Sequence, residues 1–313
     1  MAGNGRAPGG FRHQALLYAG ADDFVAQTLP IIAGAVAAGE PVLVAVDQTK
    51  IELLRRRLGE GSRAVGWTDI RGIGGNPARI IPMWRQFVAQ HGDRGRVLGF
   101  GEPIWPGRSP AALAEAQRHE ELLNLAFEHA PGFTLLCPYD TESLDGRVLD
   151  QTQRSHPTLF DQSGAHASPS CLGLDAIAAW SAPPLGAPAG ETRELTLAGA
   201  GAEAVGRLLA DPAVAGALEG ARRADLTTAI AALVGFMGRA PGARPLLRVW
   251  QDVSAVVVEI SGLGPVRDPL AGREWPAPPA GPERGLWLAN QLCDLVQLRS
   301  SRGEAVVRLH VSP

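Results

Sequence analysis

The sequence predicts an α/β protein of two domains, on three observations. Apolar runs of strand length alternate with amphipathic helical stretches through the first 160 or so residues, the pattern of a parallel, doubly wound sheet. A Pro-, Gly- and Ala-rich stretch then breaks that pattern, and beyond it a helix, two strands, a Gly/Pro-rich loop, a helix and a strand follow in a different order. The 313 residues leave room for two domains of ordinary size, each able to bury a core. The expected division is residues 1–162, a linker over 163–190, and residues 191–313.

In the first domain, His13 to Tyr18 reads as a short buried strand, and Asp22 begins a helix whose apolar residues continue to Ala38. Pro41 to Val46 is a continuous apolar run between Gly39 and Asp47, as suits a strand covered on both faces. Lys50 to Leu58 is a helix and Ala64 to Thr68 a third strand. Asn76-Pro77 is a cap followed by proline at the first helical position, starting a helix that runs to about His91. Val97 to Gly101 is a fourth strand, Ser109-Pro110 caps a long helix to about His129, and Phe133 to Cys137 is a fifth strand. Gly72-Ile73-Gly74-Gly75 lacks the final glycine and the later acidic residue of a dinucleotide fingerprint, so it reads as a plain loop.

The linker carries Pro169, Pro183, Pro184 and Pro188, with a helical turn or two expected over Leu174 to Trp180. In the second domain a helix spans Leu226 to Gly238, strands span Leu246 to Asp252 and Ala255 to Ser261, and a loop covers Gly262 to Gly281. An amphipathic helix from Gly285 then leads into a final strand. Trp250, Trp275 and Trp287 read as core or loop anchors.

The charge is balanced, 29 basic against 32 acidic residues, without long runs, so no nucleic-acid surface is indicated. Lys50 is the only lysine. Cys137, Cys171 and Cys293 are odd in number and far apart, which makes neither a disulfide framework nor a CxxC metal site. Met1 to Gly10 is Gly-rich and flexible, without the apolar core of a signal peptide, and no apolar run is long enough for a membrane span. A cytoplasmic protein is expected.

In an open parallel sheet, ligands bind outside the carboxyl ends of the strands. That edge collects Tyr18, Asp47, Glu102, Trp105, Tyr139 and Asp140, with Arg108 beyond the fourth strand, His119 and Glu120 on the long helix, and His13 opening the first strand. Carboxylates, imidazoles and aromatic walls suit a small polar or cationic ligand. The scaffold alternative pairs Glu102 with Arg108 or Arg118 and has His13 cap a buried carbonyl. A metal set of His13, His119, Glu102 and Cys137 fits by ligand type, although no two of them have a diagnostic spacing and Cys137 also reads as a core residue. No nucleophile–base arrangement is identifiable, and no catalytic residue is assigned.

The first domain resembles the MEDS sensory family through His13 with Leu17-Tyr18, Gly39-Glu40-Pro41, Asn76-Pro77-Ala78-Arg79, Gly101 to Arg108, Gln117-Arg118-His119-Glu120 and Leu136 to Asp140. The resemblance implies a RecA-like fold and a sensory role. A P-loop needs GxxxxGK[ST], which the residues before Lys50 do not supply, so ATP hydrolysis is not expected there.

The second domain resembles the GHKL ATPase superfamily, in the form found in RsbA-type anti-sigma regulatory proteins. The resemblance rests on its element order, on Asp268 to Arg273, and on Arg284-Gly285-Leu286-Trp287-Leu288 with Asn290 to Asp294. It implies a two-layer α+β sandwich. The family's base, magnesium ligand and adenine acceptor fall on Ala232, Phe236 and Gly262, while Gly264, Arg284 and Gly285 are kept. Neither alanine nor phenylalanine offers oxygen to magnesium, so the nucleotide site is read as degenerate, with Phe236 and Trp287 filling the vacated space.

Together these expectations describe a signalling regulator whose first domain senses a small molecule. Its inactive second domain binds a sigma factor or a STAS-domain antagonist, with no cofactor, nucleic acid or membrane involved and a homodimer left open. The alternative is an active serine/threonine kinase using ATP and magnesium. A third reading, an enzyme acting on a small methylated or halogenated substrate, lacks a nucleophile and base.

Overall fold

The computed structural model describes residues 10–92, 95–173, 177, 184–188, 190–197, 202–211, 218, 220–238, 240–276 and 281–313. The chain divides into two compact units, Met1–Ala176 and Ile177–Pro313. The start up to residue 9, and the turn expected over Leu174 to Trp180 apart from Ile177, lie outside the described residues.

In the first unit β1 (Arg12–Tyr18), α1 (Gly20–Ala37), β2 (Val42–Val46), α2 (Gln48–Leu58) and β3 (Val65–Asp69) follow in turn. A short helix α3 (Ile70–Gly74) stands where a plain loop was expected, because the Asp69 carboxylate accepts a hydrogen bond from the Arg71 amide (3.0 Å) and caps it. Asn76 caps a 3₁₀ turn at Pro77–Arg79, accepting from the Ala78 amide (3.1 Å), and this turn leads into α4 (Ile80–His91). Then come β4 (Val97–Gly101), α5 (Pro110–Ala126) and β5 (Phe133–Asp140), three residues longer than expected. Helix α6 (Gly146–Ser155) and strands β6 (Thr158–Asp161) and β7 (Gly164–Ala167) were not foreseen, and β7 lies inside the stretch read as linker.

The sheet order is β3-β2-β4-β5-β1-β6-β7, parallel throughout except for the β6–β7 ribbon. Side-chain alternation gives its faces different partners. Leu16, Tyr18, Val44, Leu98, Phe100 and Leu136 pack with Phe24 and Ile32 of α1 and Leu54 of α2. On the opposite face, a Cβ at Gly99 or Gly101 would lie 2.9 Å from the Trp84 ring of α4, so the indole fits only because β4 has glycine there.

The chain leaves β2 towards β3 in one direction and leaves β4 towards β5 in the other, which makes the gap between β2 and β4 a topological switch point. Such crevices, at the carboxyl ends of the strands, are where open parallel sheets take ligands.

The second unit holds β8 (Arg193–Thr196), α7 (Ala202–Leu209), α8 (Gly220–Met237), β9 (Leu246–Gln251), β10 (Val256–Leu263), α9 (Pro282–Leu292), β11 (Leu295–Ser300) and β12 (Ala305–Val311). Its separate sheet, β11-β12-β10-β9-β8, is antiparallel. Leu226, Ile230 and Leu233 of α8 and Leu286 and Ala289 of α9 pack on one face, against Val249, Val258, Ile260, Val296 and Val307. On the other face Arg308 donates to Glu259 (2.6 and 3.1 Å) and to the Gly186 carbonyl (2.6 Å). Sequence reading missed β8, α7 and β12; one final strand was expected where β12 inserts between β10 and β11. Among the described residues no helix is long and apolar enough to cross a membrane.

Candidate functional site

At the switch point, α2 starts directly after β2. Asp47 caps it, accepting from the Lys50 amide (3.1 Å), and this places the Lys50 side chain over the ends of β2 and β4. The Lys50 ammonium donates to both Glu102 oxygens (2.7 and 2.8 Å) and lies 3.1 Å from an Asp47 oxygen. The Tyr18 hydroxyl donates to Glu102 Oε1 (2.8 Å), and the rings of Tyr18 and Phe24 each stand 5.5 Å from the ammonium. Glu102 is only 3% exposed. Burial pushes its carboxyl above the ordinary value, against the pull of Lys50 and Tyr18. Burial, with the neighbouring Glu102, also drives the Tyr18 hydroxyl up.

Glu102 therefore pairs with Lys50 rather than with either arginine considered from sequence. Arg108 instead donates to the carbonyls of Pro103 (2.7 Å), Gly74 (2.6 Å) and Gly75 (3.4 Å) and stacks on Trp105 at 3.5 Å. Burial and the nearby Arg71 lower its guanidinium to about 9, still charged at neutral pH. Arg118 lies 3.8 Å from Glu115. Asp140 accepts from the amides of Gly20 (3.2 Å) and Glu142 (3.1 Å), ordering the turn after β5.

A second polar cluster is buried on the other face of the sheet. His13 Nε2 stands 3.1 Å from Glu120 Oε2 and 3.4 Å from Cys137 Sγ. His156 Nε2 stands 3.0 Å from the same Glu120 oxygen. His13 thus caps no carbonyl. The other nitrogen of each ring faces an acceptor, His13 Nδ1 meeting Asn124 Oδ1 (3.1 Å) and His156 Nδ1 the Thr152 carbonyl (2.9 Å). Burial, then the neighbouring His156, lowers His13, while burial raises the Cys137 thiol and the Tyr139 hydroxyl.

The residues proposed from sequence accordingly divide. Tyr18 and Glu102 meet at the switch point, His13, Glu120 and Tyr139 gather on the opposite face, and Trp105 with Arg108 forms a stacked pair. The metal set weighed from sequence does not assemble: Glu102 serves the other face, and His119 is turned about 100° around α5 from Glu120. Their places are taken by Glu120 and His156. His156 escaped sequence reading because α6 was not seen, although Glu120 and Asn124, four apart on one helix, shared a legible face.

In the second unit a Cβ at Gly285 would lie 2.8 Å from the Ala232 carbonyl, and one at Gly264 would lie 2.6 Å from the Met237 carbonyl. These two glycines serve close packing against α8. Gly262 has φ +74° at an irregularity of β10. Phe236 is exposed with the Arg284 guanidinium over its ring (5.4 Å), so it does not fill enclosed space as expected. Trp275 is 77% exposed, edge-on to the half-buried Trp287 (5.3 Å), and is no core anchor. Trp250 is buried beneath Arg308.

No curated protein matches this chain. Residues 12–157 match the MEDS family, described as the MEthanogen/methylotroph, DcmR Sensory domain, and the match takes in none of the second unit. Within the first unit, residues 12–157, from the start of β1 to Pro157 just beyond α6, form a MEDS domain.

Proposed function

We propose that the protein is a signalling regulator in which the MEDS domain takes a small cationic ligand and the second unit passes the response to a protein partner. The sensory role rests on the family match. The ligand class rests on one observation, the cage at the switch point: a carboxylate and two aromatic rings surround an ammonium group that the protein itself supplies from Lys50. A small ammonium ion would meet the same charge and the same ring faces. The family description names methylotrophs, and methylammonium is a one-carbon cation of the required kind. Calorimetry of the full chain with methylammonium should give saturable heat that Glu102→Gln removes. Absence of heat with the wild-type protein would reject a cationic ligand.

The second unit is read as a GHKL-type module turned from catalysis to docking on a sigma factor or a STAS-domain antagonist. Ala232, Phe236 and Gly262 stand where the family's catalytic base, magnesium ligand and adenine acceptor would be, and the close approach of Gly285 to Ala232 supports this reading. Arg284 and Trp287, one turn apart on α9, each carry an aromatic partner, and this side of the helix is the proposed contact surface. Calorimetry with ATP and magnesium should show no heat. Binding, with phosphate transfer to a STAS-domain protein, would replace docking by the kinase reading.

A further inference from the structure

We propose that His13, Glu120, Cys137 and His156 form a binding site for one divalent transition-metal ion of the zinc class. Their ligand atoms lie within 4.8 Å of one another, all four residues are buried, and they come from β1, α5, β5 and the end of α6.

The hydrogen bonds around the two imidazoles carry the inference. The Thr152 carbonyl can only accept, so His156 Nδ1 must carry the proton there. The Asn124 amide is oriented by its Nδ2, which donates to the Ser155 carbonyl (2.8 Å). Its oxygen is thereby turned to His13, whose Nδ1 must also donate. Both neutral rings then aim an unprotonated Nε2 at Glu120 Oε2, from 3.1 and 3.0 Å. Two lone pairs directed at one carboxylate oxygen repel, unless a positive charge lies among them. Protonating one ring would pair it with Glu120 but leave the other lone pair facing the same oxygen, and two imidazolium ions with ring centroids 4.1 Å apart inside a buried cluster would be costly.

A metal ion resolves the arrangement. Metal-bound histidines characteristically donate their second nitrogen to a carbonyl or amide oxygen, as both rings do here. Tetrahedral zinc at its usual bond lengths separates nitrogen and oxygen ligands by about 3.3 Å, and nitrogen and sulfur by about 3.6 Å. Three of the six separations are 3.0, 3.1 and 3.4 Å, and none of the six exceeds 4.8 Å. Binding would release the Cys137 thiol proton to solvent. Thiolate and carboxylate then balance the 2+ charge, leaving the buried site neutral. Imidazole with thiolate selects zinc over magnesium or calcium.

The test uses the full chain, purified in reductant from zinc-supplemented cells and dialysed against chelating resin. One zinc per chain is expected, with an X-ray absorption edge fitting one sulfur and three nitrogen or oxygen neighbours. Cobalt-substituted protein should show a thiolate charge-transfer band that survives Cys171→Ser and disappears in Cys137→Ser. Folded wild-type protein that neither retains nor takes up zinc or cobalt overturns the proposal. So does a metal whose neighbours include no sulfur, or a band unchanged in Cys137→Ser. The absorption fit is made on wild-type protein, so a Cys137 variant that fails to fold leaves the test intact.

Discussion

Lys50 closes the crevice between β2 and β4 by placing its ammonium 2.7 and 2.8 Å from the two oxygens of Glu102. Glu102 is nearly enclosed while Lys50 keeps some contact with water, so the pair lies between a surface and a buried ion pair. Lys50→Met should cost about 2–4 kcal/mol in urea unfolding, because it strands a buried carboxylate. Lys50→Met with Glu102→Gln should recover much of that loss. Glu102 is raised in the folded protein and would rise further without Lys50, so the folded state holds the proton more tightly than the unfolded chain. The deficit of Lys50→Met should therefore shrink as pH falls and grow as pH rises through the carboxyl range.

The chain has two tyrosines, Tyr18 and Tyr139, and burial raises the hydroxyls of both. Their contribution to stability is complete below about pH 10, where free phenols titrate, and is lost as pH rises beyond it. In an alkaline titration the near-ultraviolet tyrosinate signal should appear together with loss of circular dichroism. A phenol ionising while the fold persists would contradict the buried placement.

Helices α8 and α9 touch through glycine. Gly285→Ala would set a methyl group 2.8 Å from the Ala232 carbonyl, and one at Gly272, where φ is +75°, would fall 2.5 Å from Leu286 Cβ. Each substitution should cost about 1–3 kcal/mol by overpacking, with Gly272→Ala the worse because its backbone is also strained. Thermal unfolding of both variants measures the order.

On the proposed reading of the second unit as a GHKL-type module, supplying the three side chains that family carries should not create nucleotide binding. Ala232→Glu, Phe236→Asn and Gly262→Asp together supply the groups, but Gly262 sits in left-handed backbone. A side chain there is strained, and its Cβ would stand 3.2 Å from the Pro245 Cα. Calorimetry of the triple variant with ATP and magnesium is expected to be flat; saturable binding would show that only the side chains had been lost.

The alternating apolar runs made the core of the first sheet legible, since Val42–Val46 and Val97–Gly101 are buried almost throughout and lie side by side. The strand order was not legible, because it depends on which non-adjacent segments pair. Short, polar elements also escaped: β7, Gly-Ala-His-Ala, lacks apolar alternation and exists only as the antiparallel partner of β6. At the site, residue types were readable and partnerships were not. Glu102 was identifiable as a candidate, whereas Lys50, 52 positions earlier, becomes its partner only through the parallel register that sets β2 beside β4. His156 required both α6 and the neighbouring face of α5.

Because Lys50 is the only lysine, the switch crevice holds the sole side-chain primary amine of the chain. Amine-selective reagents such as succinimidyl esters will label side chains at this crevice alone, and slowly while the ammonium stays clamped by Glu102. A compound that displaces Lys50 would announce itself as faster acylation, read by mass spectrometry without any engineered reporter.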